Sequence, residues 1–315
     1  MPEASRGADR VNTAFASLVK QGLLGSGHYP RRLRRDTFPG VAVLCYHGVS
    51  VDRSADLSMS FGDLHTRLED LAAHCRFIRE TCHPISLEDW RQARAGHGRL
   101  PARPVLFTFD EGYRPVFTHA LPVLRQFGIP AVIFAWSDPV EKRQLPWYDA
   151  VARRLGEPEV ERLKVAPYEE WRRLCEKSAE PVDDGDPCAP VTVSEIRSMA
   201  AMPGIEIGGH TASHPVLARA DLEMQRSEIV RNKERLEAWT GRPVRAFAYP
   251  NGEPGTDYTP QTVKLVEEHG FDFGFTTRYG FATPDEPALE LSRFLILRGV
   301  SAAELGHRLS YSWRR

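Results

Sequence analysis

Cysteine is scarce in this 315-residue sequence: five residues, at positions 45, 75, 82, 175 and 188, none of them in a CxxC pair. So sparse and odd a set excludes a disulfide scaffold and fits a reducing compartment. Long apolar runs are missing as well. No stretch approaches the ~18 apolar residues of a membrane span. The N-terminal segment MPEASRGADRVNTAFASLVKQGLLGSGHYPRRLRRD holds no apolar core of secretory length before a small-residue cleavage site, so the expected location is the cytoplasm. Nor is there an excess of one charge: 41 Lys+Arg against 42 Asp+Glu leave a net charge of -1. Proteins that grip nucleic acid nonspecifically carry a large basic excess, so nucleic acid is not an expected partner. Internal repeats and low-complexity tracts are absent. With 42% hydrophobic and 26% charged residues, disorder, collagen and coiled coil are poor descriptions, and the chain is long enough to bury a full core.

Residues 1–38 read as a basic N-terminal extension, with a weak helical stretch near 11–24 and an arginine cluster (Arg31, Arg32, Arg34, Arg35). That cluster suits a solvated linker better than an anionic surface. After Pro39-Gly40 the character changes. Short apolar runs recur at 41–46, 105–109, 131–135, 205–208, 245–249, 272–277 and 294–298. Helix-like segments lie between them at 61–74, 87–96, 114–127, 158–178, 192–201, 221–239 and 260–269. Alternation of this kind predicts parallel βα units, hence a barrel or an open doubly wound sheet over 39–301. Residues 302–315 read as a C-terminal tail or helix. The stretch 136–191 is too long for a normal connection and reads as an insertion, either a lid over the strand ends or a peripheral helical addition.

Four of the seven predicted strands end in chemically capable side chains: VLCYHGV in His47, FTFDEGY in Asp110 and Glu111, IEIGGHTASHP in His210 and His214, and FAYPNG in Tyr249, Asn251 and Gly252. Parallel sheets build their sites at strand C-termini. The HTASH pair alone is weak, because 11 histidines in 315 residues produce a spaced pair readily by chance. Gly208-Gly209 before it and Pro215 after it favour a shaped loop over a helix. The adjacent Asp110 and Glu111 would repel each other if confined without a partner, and a divalent cation removes that conflict; a solvated acidic turn before a helix would carry the same letters. Together, two histidines and one carboxylate form a three-ligand set with an open position, the pattern of catalytic zinc sites. The remaining carboxylate would serve as base to a metal-activated water. An amide or ester carbonyl is the natural target.

From about Val41 to Val300 the sequence resembles the polysaccharide deacetylase family (carbohydrate esterase family 4, the NodB-homology domain), in the subgroup with a YHxV motif. The likeness is densest over 205–283, where GGHTASHPVL, SEIVRNKERLEAWTGRPVRAFAYPNG and EEHGFDFGFTT follow the family order. The resemblance implies a distorted (β/α)7 barrel and metal-dependent N-deacetylation of an acetylated amino sugar in a glycan or glycoconjugate. It implies Asp110 as general base and Glu111, His210 and His214 as ligands to a divalent metal, zinc first, with cobalt, nickel or manganese as alternatives. It further implies the Asn251 backbone N–H as oxyanion donor and His47 as the acid that protonates the leaving amine. Three departures stand out. Glu111 replaces the usual aspartate. Ala248 stands where many members have an arginine that orients the base, which turns attention to Arg298 as the substitute. A C-terminal Leu-x-His motif is not evident, since Leu305-Gly306-His307 falls in an expected terminal helix.

Trp147, Tyr249 and Tyr46 are the candidate sugar-facing aromatics, each of them also a plausible core residue. Two other functions stay open: a catalytically weak carbohydrate-binding barrel, which the Glu111 and Ala248 departures motivate, or a deacylase of a small or lipid-linked cytosolic amino sugar, which the expected cytoplasmic location motivates.

Overall fold

The computed structural model describes residues 15–51 and 61–312. Residues 11–14 of the expected N-terminal helix and 313–315 of the tail lie outside the described residues. Seven parallel strands form the centre: β1 (Ala42–Tyr46), β2 (Pro104–Phe109), β3 (Ala131–Ala135), β4 (Ile205–Gly209), β5 (Ala246–Ala248), β6 (Phe273–Tyr279) and β7 (Leu291–Leu295). Each pairs with the next, and β1 pairs with both β2 and β7, which closes the sheet into the distorted (β/α)7 barrel. A two-residue strand, His83–Pro84, adds to the start of β2, and Gly48–Ser50 pairs separately with His65–Arg67.

The strands are runs of Val, Ile, Leu and Phe buried on both sides, as parallel strands covered by helices must be. Their period of two divides the core. Val43, Leu106, Val132, Phe134, Ala246, Ala248, Phe273, Phe275 and Leu291 form one apolar cluster with Trp90 and Leu87. The alternate residues, among them Leu44, Phe107, Phe109, Ile133, Phe247 and Phe294, pack in a second, larger cluster with the helices. Closure is therefore written into the alternation: one set of side chains fills the barrel and the other fastens the helices to it.

Three expected elements fall elsewhere. The helix expected at 61–74 is Leu68–Thr81, because the preceding residues form a short 3-10 turn (Gly62–Leu64) and the small strand His65–Arg67. The single helix expected at 158–178 is two, Glu157–Lys164 and Tyr168–Ser178, divided just before the second by Pro167, which forces its predecessor out of helical geometry. The last strand is Leu291–Leu295, not 294–298. The stretch 136–191 contains four helices: Ser137–Lys142, Trp147–Leu155, Glu157–Lys164 and Tyr168–Ser178. Among the described residues, no helix is long and apolar enough to cross a membrane.

Candidate metal and catalytic site

The C-terminal ends of the strands open on a cavity of about 200 Å³. It is lined by His47, Asp110, Glu111, His210, His214, Tyr249 and Asn251 from the barrel loops, and by Trp147, Tyr148, Val160 and Lys164 from the 136–191 stretch. Two aligned positions on the rim are explained by strand alternation: His47 follows Val43 and Cys45, and Asp110 follows Leu106 and Thr108. Glu111 should then point the other way. It does not, because its backbone is left-handed (φ 75°) and turns the side chain back into the cavity. Gly112 follows at φ 68°, where a Cβ would lie 3.1 Å from that of Ala135. Among the described residues, non-glycine positive φ occurs at only six positions. Four of these, Glu111, Thr211, His214 and Asn251, sit in the loops that form the site. Backbone strain of this kind persists where surrounding structure over-determines it, and it clusters at functional sites.

Glu111, His210 and His214 are buried, and one ligand atom from each lies within 4.8 Å of the others. The closest approaches to Glu111 Oε1 are 3.2 Å from His214 Nε2 and 3.5 Å from His210 Nε2. His210 Nδ1 faces the Ala248 carbonyl at 2.7 Å. Donation there places the proton on Nδ1 and leaves Nε2 a bare lone pair aimed at the carboxylate. The Nε2 atoms of both histidines and Glu111 Oε2 have no hydrogen-bond partner. Buried acceptors turned towards one another are costly unless something positive lies between them. Burial opposes the charge on Glu111, yet the two imidazoles outweigh burial and hold its pKa well below the carboxylate range. Burial likewise lowers His210, while Glu111 reverses the balance and raises it. The donor set and its orphaned atoms fit a divalent cation bound by two nitrogens and one oxygen.

Asp110 lies beside this triad in a different electrostatic setting. Arg293 Nη1 and Nη2 each donate 2.8 Å hydrogen bonds, one to each carboxylate oxygen. Arg293 Nε donates to the Thr276 carbonyl at 2.8 Å, and the whole guanidinium is buried. Burial would raise the Asp110 pKa; Arg293 more than offsets it, and the net shift is downward. The Cys45 thiol donates a longer bond to Asp110 Oδ2 at 3.5 Å. A second possible ligand cluster, Cys45–His47–Asp110, shares the same 4.8 Å limit. The guanidinium clamped on Asp110 already supplies the positive charge there, so the Glu111 triad is the better cation site. His47 is only partly buried, with its Nδ1 unpartnered. Burial lowers its pKa against the upward pull of Asp110 and Glu111.

The histidine loop is held from behind by one helix, Leu222–Thr240. Asn232 accepts from the His210 backbone N–H at 3.0 Å and donates to the Ala135 carbonyl at 3.0 Å. One turn earlier, Glu228 accepts from the Ser213 N–H and hydroxyl, both at 2.8 Å. The i, i+4 spacing puts both on one helix face. Gly209 permits the approach, since a Cβ there would lie 2.9 Å from Asn232 Oδ1. Trp147 adds a further tie, its indole N–H donating to the His214 carbonyl at 3.0 Å.

Two expected positions need correction. Arg298 does not meet Asp110. It lies beyond β7, where its Nε donates to the His65 carbonyl at 3.3 Å, and the guanidinium sought there comes from Arg293. Tyr46 does not line the cavity. It faces the outer layer, stacked on Phe107 and Phe109, with its hydroxyl 3.1 Å from His74 Nδ1. Tyr249 does reach the cavity wall, though it is almost fully buried, stacked on Tyr258 and donating to the Leu289 carbonyl at 2.9 Å. Asn251 lines the wall too, its carbonyl accepting from the Thr277 hydroxyl at 2.8 Å. Seven lining residues had no sequence signal, and of these Leu64, Thr277 and Leu295 come from the barrel strands and the short turn after β1. Tyr148, Val160 and Lys164 lie in the helical insertion, and Phe61 follows the residues outside the description.

Comparison with known proteins agrees with this geometry. A family profile described as "Polysaccharide deacetylase" matches residues 97–274. The Bacillus subtilis protein YxkH, which carries the polysaccharide-deacetylase name, is 22% identical over 265 residues, covering 84% of this chain and 74% of its own. The Escherichia coli K12 poly-beta-1,6-N-acetyl-D-glucosamine N-deacetylase is 23% identical over 276 residues; the match takes in 86% of this chain but only 38% of that longer protein. Among solved structures, the Streptococcus pyogenes deacetylase PplD superposes with a TM-score of 0.65 at 19% identity, over 86% of this chain and 98% of that one. IcaB from Ammonifex degensii superposes with a TM-score of 0.61 at 21% identity, over 87% and 98%. At these identities the superpositions establish the shared barrel.

Proposed function

The chain belongs to the polysaccharide deacetylase family, hydrolases acting on non-peptide carbon–nitrogen bonds, and from that premise we propose that it removes N-acetyl groups from an amino sugar in a glycan or glycoconjugate with the help of a divalent metal. The observation that carries this reading is the pairing of two unlike environments in one cavity. Glu111, His210 and His214 offer bare acceptors to a cation, and Asp110 beside them is kept ionised by Arg293. The substrate class follows the name of the Escherichia coli relative, a poly-beta-1,6-N-acetyl-D-glucosamine N-deacetylase.

Glu111, His210 and His214 would hold a zinc ion (or cobalt, nickel or manganese), which would supply Lewis acidity towards an acyl carbonyl and a water. Asp110 accepts the proton of the attacking water, and Arg293 fixes the orientation of its carboxylate. The Asn251 backbone N–H is the donor assigned to the oxyanion, a contact whose loss typically costs about 10²–10³ in rate. His47 gives its proton to the departing amine. Trp147 and Tyr249 form apolar wall against which a sugar face can lie. A reducing, cytoplasmic setting is part of the reading and draws support from the five free thiols.

Acetate release from an oligomer of β-1,6-linked N-acetylglucosamine tests the assignment, with zinc content measured on the same sample. Asp110→Asn is expected to retain metal and lose turnover. Unchanged turnover in that variant removes Asp110 as base, and a wild-type protein that binds zinc without releasing acetate points to a carbohydrate-binding barrel.

A further inference from the structure

The basic N-terminal segment is not used by the site, and the structure gives it a definite face. Residues 15–25 are helical and His28–Arg35 forms a second helix. Both dock on the C-terminal helix Ala302–Tyr311. Lys20 pairs with Glu304, Leu23 and Leu24 pack on the core, and His28 Nε2 lies 2.9 Å from the Tyr311 hydroxyl. Tyr29 and Leu33 are buried, and the Arg32 guanidinium sits 4.5 Å over the Tyr311 ring. Leu23 of the first helix and Arg31, Arg32 and Arg35 of the second line one shallow depression, so the two helices present neighbouring surface.

Those outward faces are unusual. Positions 15, 18, 19 and 22 share one stripe of the first helix, opposite positions 20 and 24 and bordered by Leu23. The stripe presents Phe15, Leu18 and Val19, which are 68%, 66% and 46% exposed. Among the described residues, only eight large apolar side chains are exposed, and three of them fall on this stripe. The neighbouring helix turns Arg31, Arg34 and Arg35 outward. Among the described residues, the hydrogen bonds of Arg31 and Arg34 go to backbone carbonyls, of Ser26 and Glu80, and those contacts neutralise neither charge. Residues 15–35 carry Lys20 and four arginines and no Asp or Glu, in a chain whose net charge is -1. Positive charge is thus segregated next to an unburied apolar stripe.

We propose that this face is a docking surface for an anionic lipid bilayer. An amphipathic helix inserts its apolar stripe at the headgroup boundary, and adjacent arginines add attraction to anionic lipid. Neither component suffices alone: the stripe is short, and the cationic contribution fades with salt. Charge and apolarity together select this partner: Arg31 and Arg35 share their depression with a single acidic side chain, Asp36, and the exposed Phe15 and Leu18 call for an apolar medium that a charged protein surface does not offer.

The test is flotation of the full chain with vesicles of 30% phosphatidylglycerol in phosphatidylcholine, against pure phosphatidylcholine vesicles. Binding is expected to the anionic vesicles only and to weaken steeply as NaCl rises. At about fivefold per basic residue, the triple variant Arg31→Gln/Arg34→Gln/Arg35→Gln is expected to bind roughly 100-fold more weakly. The pair Phe15→Ser/Leu18→Ser is expected to lose binding at unchanged charge, with thermal melting confirming that both variants stay folded. Absence of flotation at low salt, equal binding to both vesicle types, or variants that bind as the wild type does would each overturn the proposal. So would gel filtration showing that Phe15→Ser/Leu18→Ser turns a dimer into a monomer, which would make the stripe a contact between copies of the chain. Flotation reads binding and not turnover, so neither result depends on the deacetylase reading.

Discussion

Arg293 grips Asp110 by both arms, each terminal nitrogen 2.8 Å from a different carboxylate oxygen, in a pair buried to within a few per cent. Removing one partner of a buried ion pair leaves the other charged and unsolvated, at a cost of about 3–5 kcal/mol. Arg293→Ala is therefore expected to melt far below the wild type. Arg293→Lys keeps the charge and loses the fork, so it is the informative variant. With the fork gone, Asp110 keeps a nearby charge but loses the paired hydrogen bonds that help hold its pKa down, and the pKa rises. A general base must be ionised, so the acidic limb of the kcat/KM profile is expected to move to higher pH. A limb that stays in place in a folded Arg293→Lys enzyme would show that Arg293 is structural only.

Why Asp110 was legible and Arg293 was not comes down to strand register. Asp110 ends an unmistakable run of apolar residues at a strand C-terminus, where parallel sheets build their sites. Arg293 lies inside β7, where the sequence LSRFL looks less like a buried strand than the more apolar FLILR that follows. The expected strand was displaced by three residues. An odd displacement exchanges inward and outward faces, so the arginine at the barrel axis was passed over for Arg298. The polar interior of a catalytic barrel weakens the very hydropathy signal used to find it. Tyr46 failed for the converse reason: it neighbours His47 in sequence, and alternation sends the two to opposite faces.

The Glu111–His210–His214 set predicts one tightly held divalent ion per chain. Titration of zinc into chelator-treated protein is expected to saturate at one equivalent and to raise the melting temperature, since ligand at 100 times Kd stabilises by about 2.7 kcal/mol. His214→Ala and Glu111→Gln are expected to abolish most of that rise. Glu111→Asp retracts the carboxylate by one methylene from a backbone already committed to a left-handed turn, and weaker zinc binding is expected. Tight stoichiometric binding that survives His214→Ala would relocate the metal.

Asn232 makes the histidine loop depend on a helix that lines no part of the cavity. Asn232→Ala leaves the His210 N–H and the Ala135 carbonyl without their partner. Each unsatisfied buried group costs about 1–3 kcal/mol. Groups that orient metal ligands typically change metal affinity 10–100-fold. Both losses are expected together, read by urea denaturation and by zinc titration. Lowered stability with unaltered zinc affinity would mean that the loop holds its shape without the helix.

Asp149, in the inserted helix Trp147–Leu155, is fully buried, accepts from the Tyr113 hydroxyl at 3.1 Å and has its other oxygen unpartnered. Burial pushes its pKa up to about 8. The unfolded chain releases that proton near 3.8, so between those values the folded state holds the extra proton. Stability from this group is full at low pH and falls as pH rises through the window, at up to ~1.4 kcal/mol per pH unit. His74 and His65 act in the opposite sense. Burial lowers them to about 4 and about 3, so they add stability that is complete above about 6.5 and lost as pH falls. The histidine contribution is common to the wild type and an Asp149 variant, so the difference between the two proteins isolates Asp149 between pH 6.5 and 8, while the unfolded histidines finish their titration. Over that interval Asp149→Asn is expected to lose about 2 kcal/mol less stability than the wild type, by urea denaturation in a chelating buffer. Parallel loss in the two proteins would mean that Asp149 is already ionised in the fold, with its charge supported by more than the Tyr113 hydroxyl.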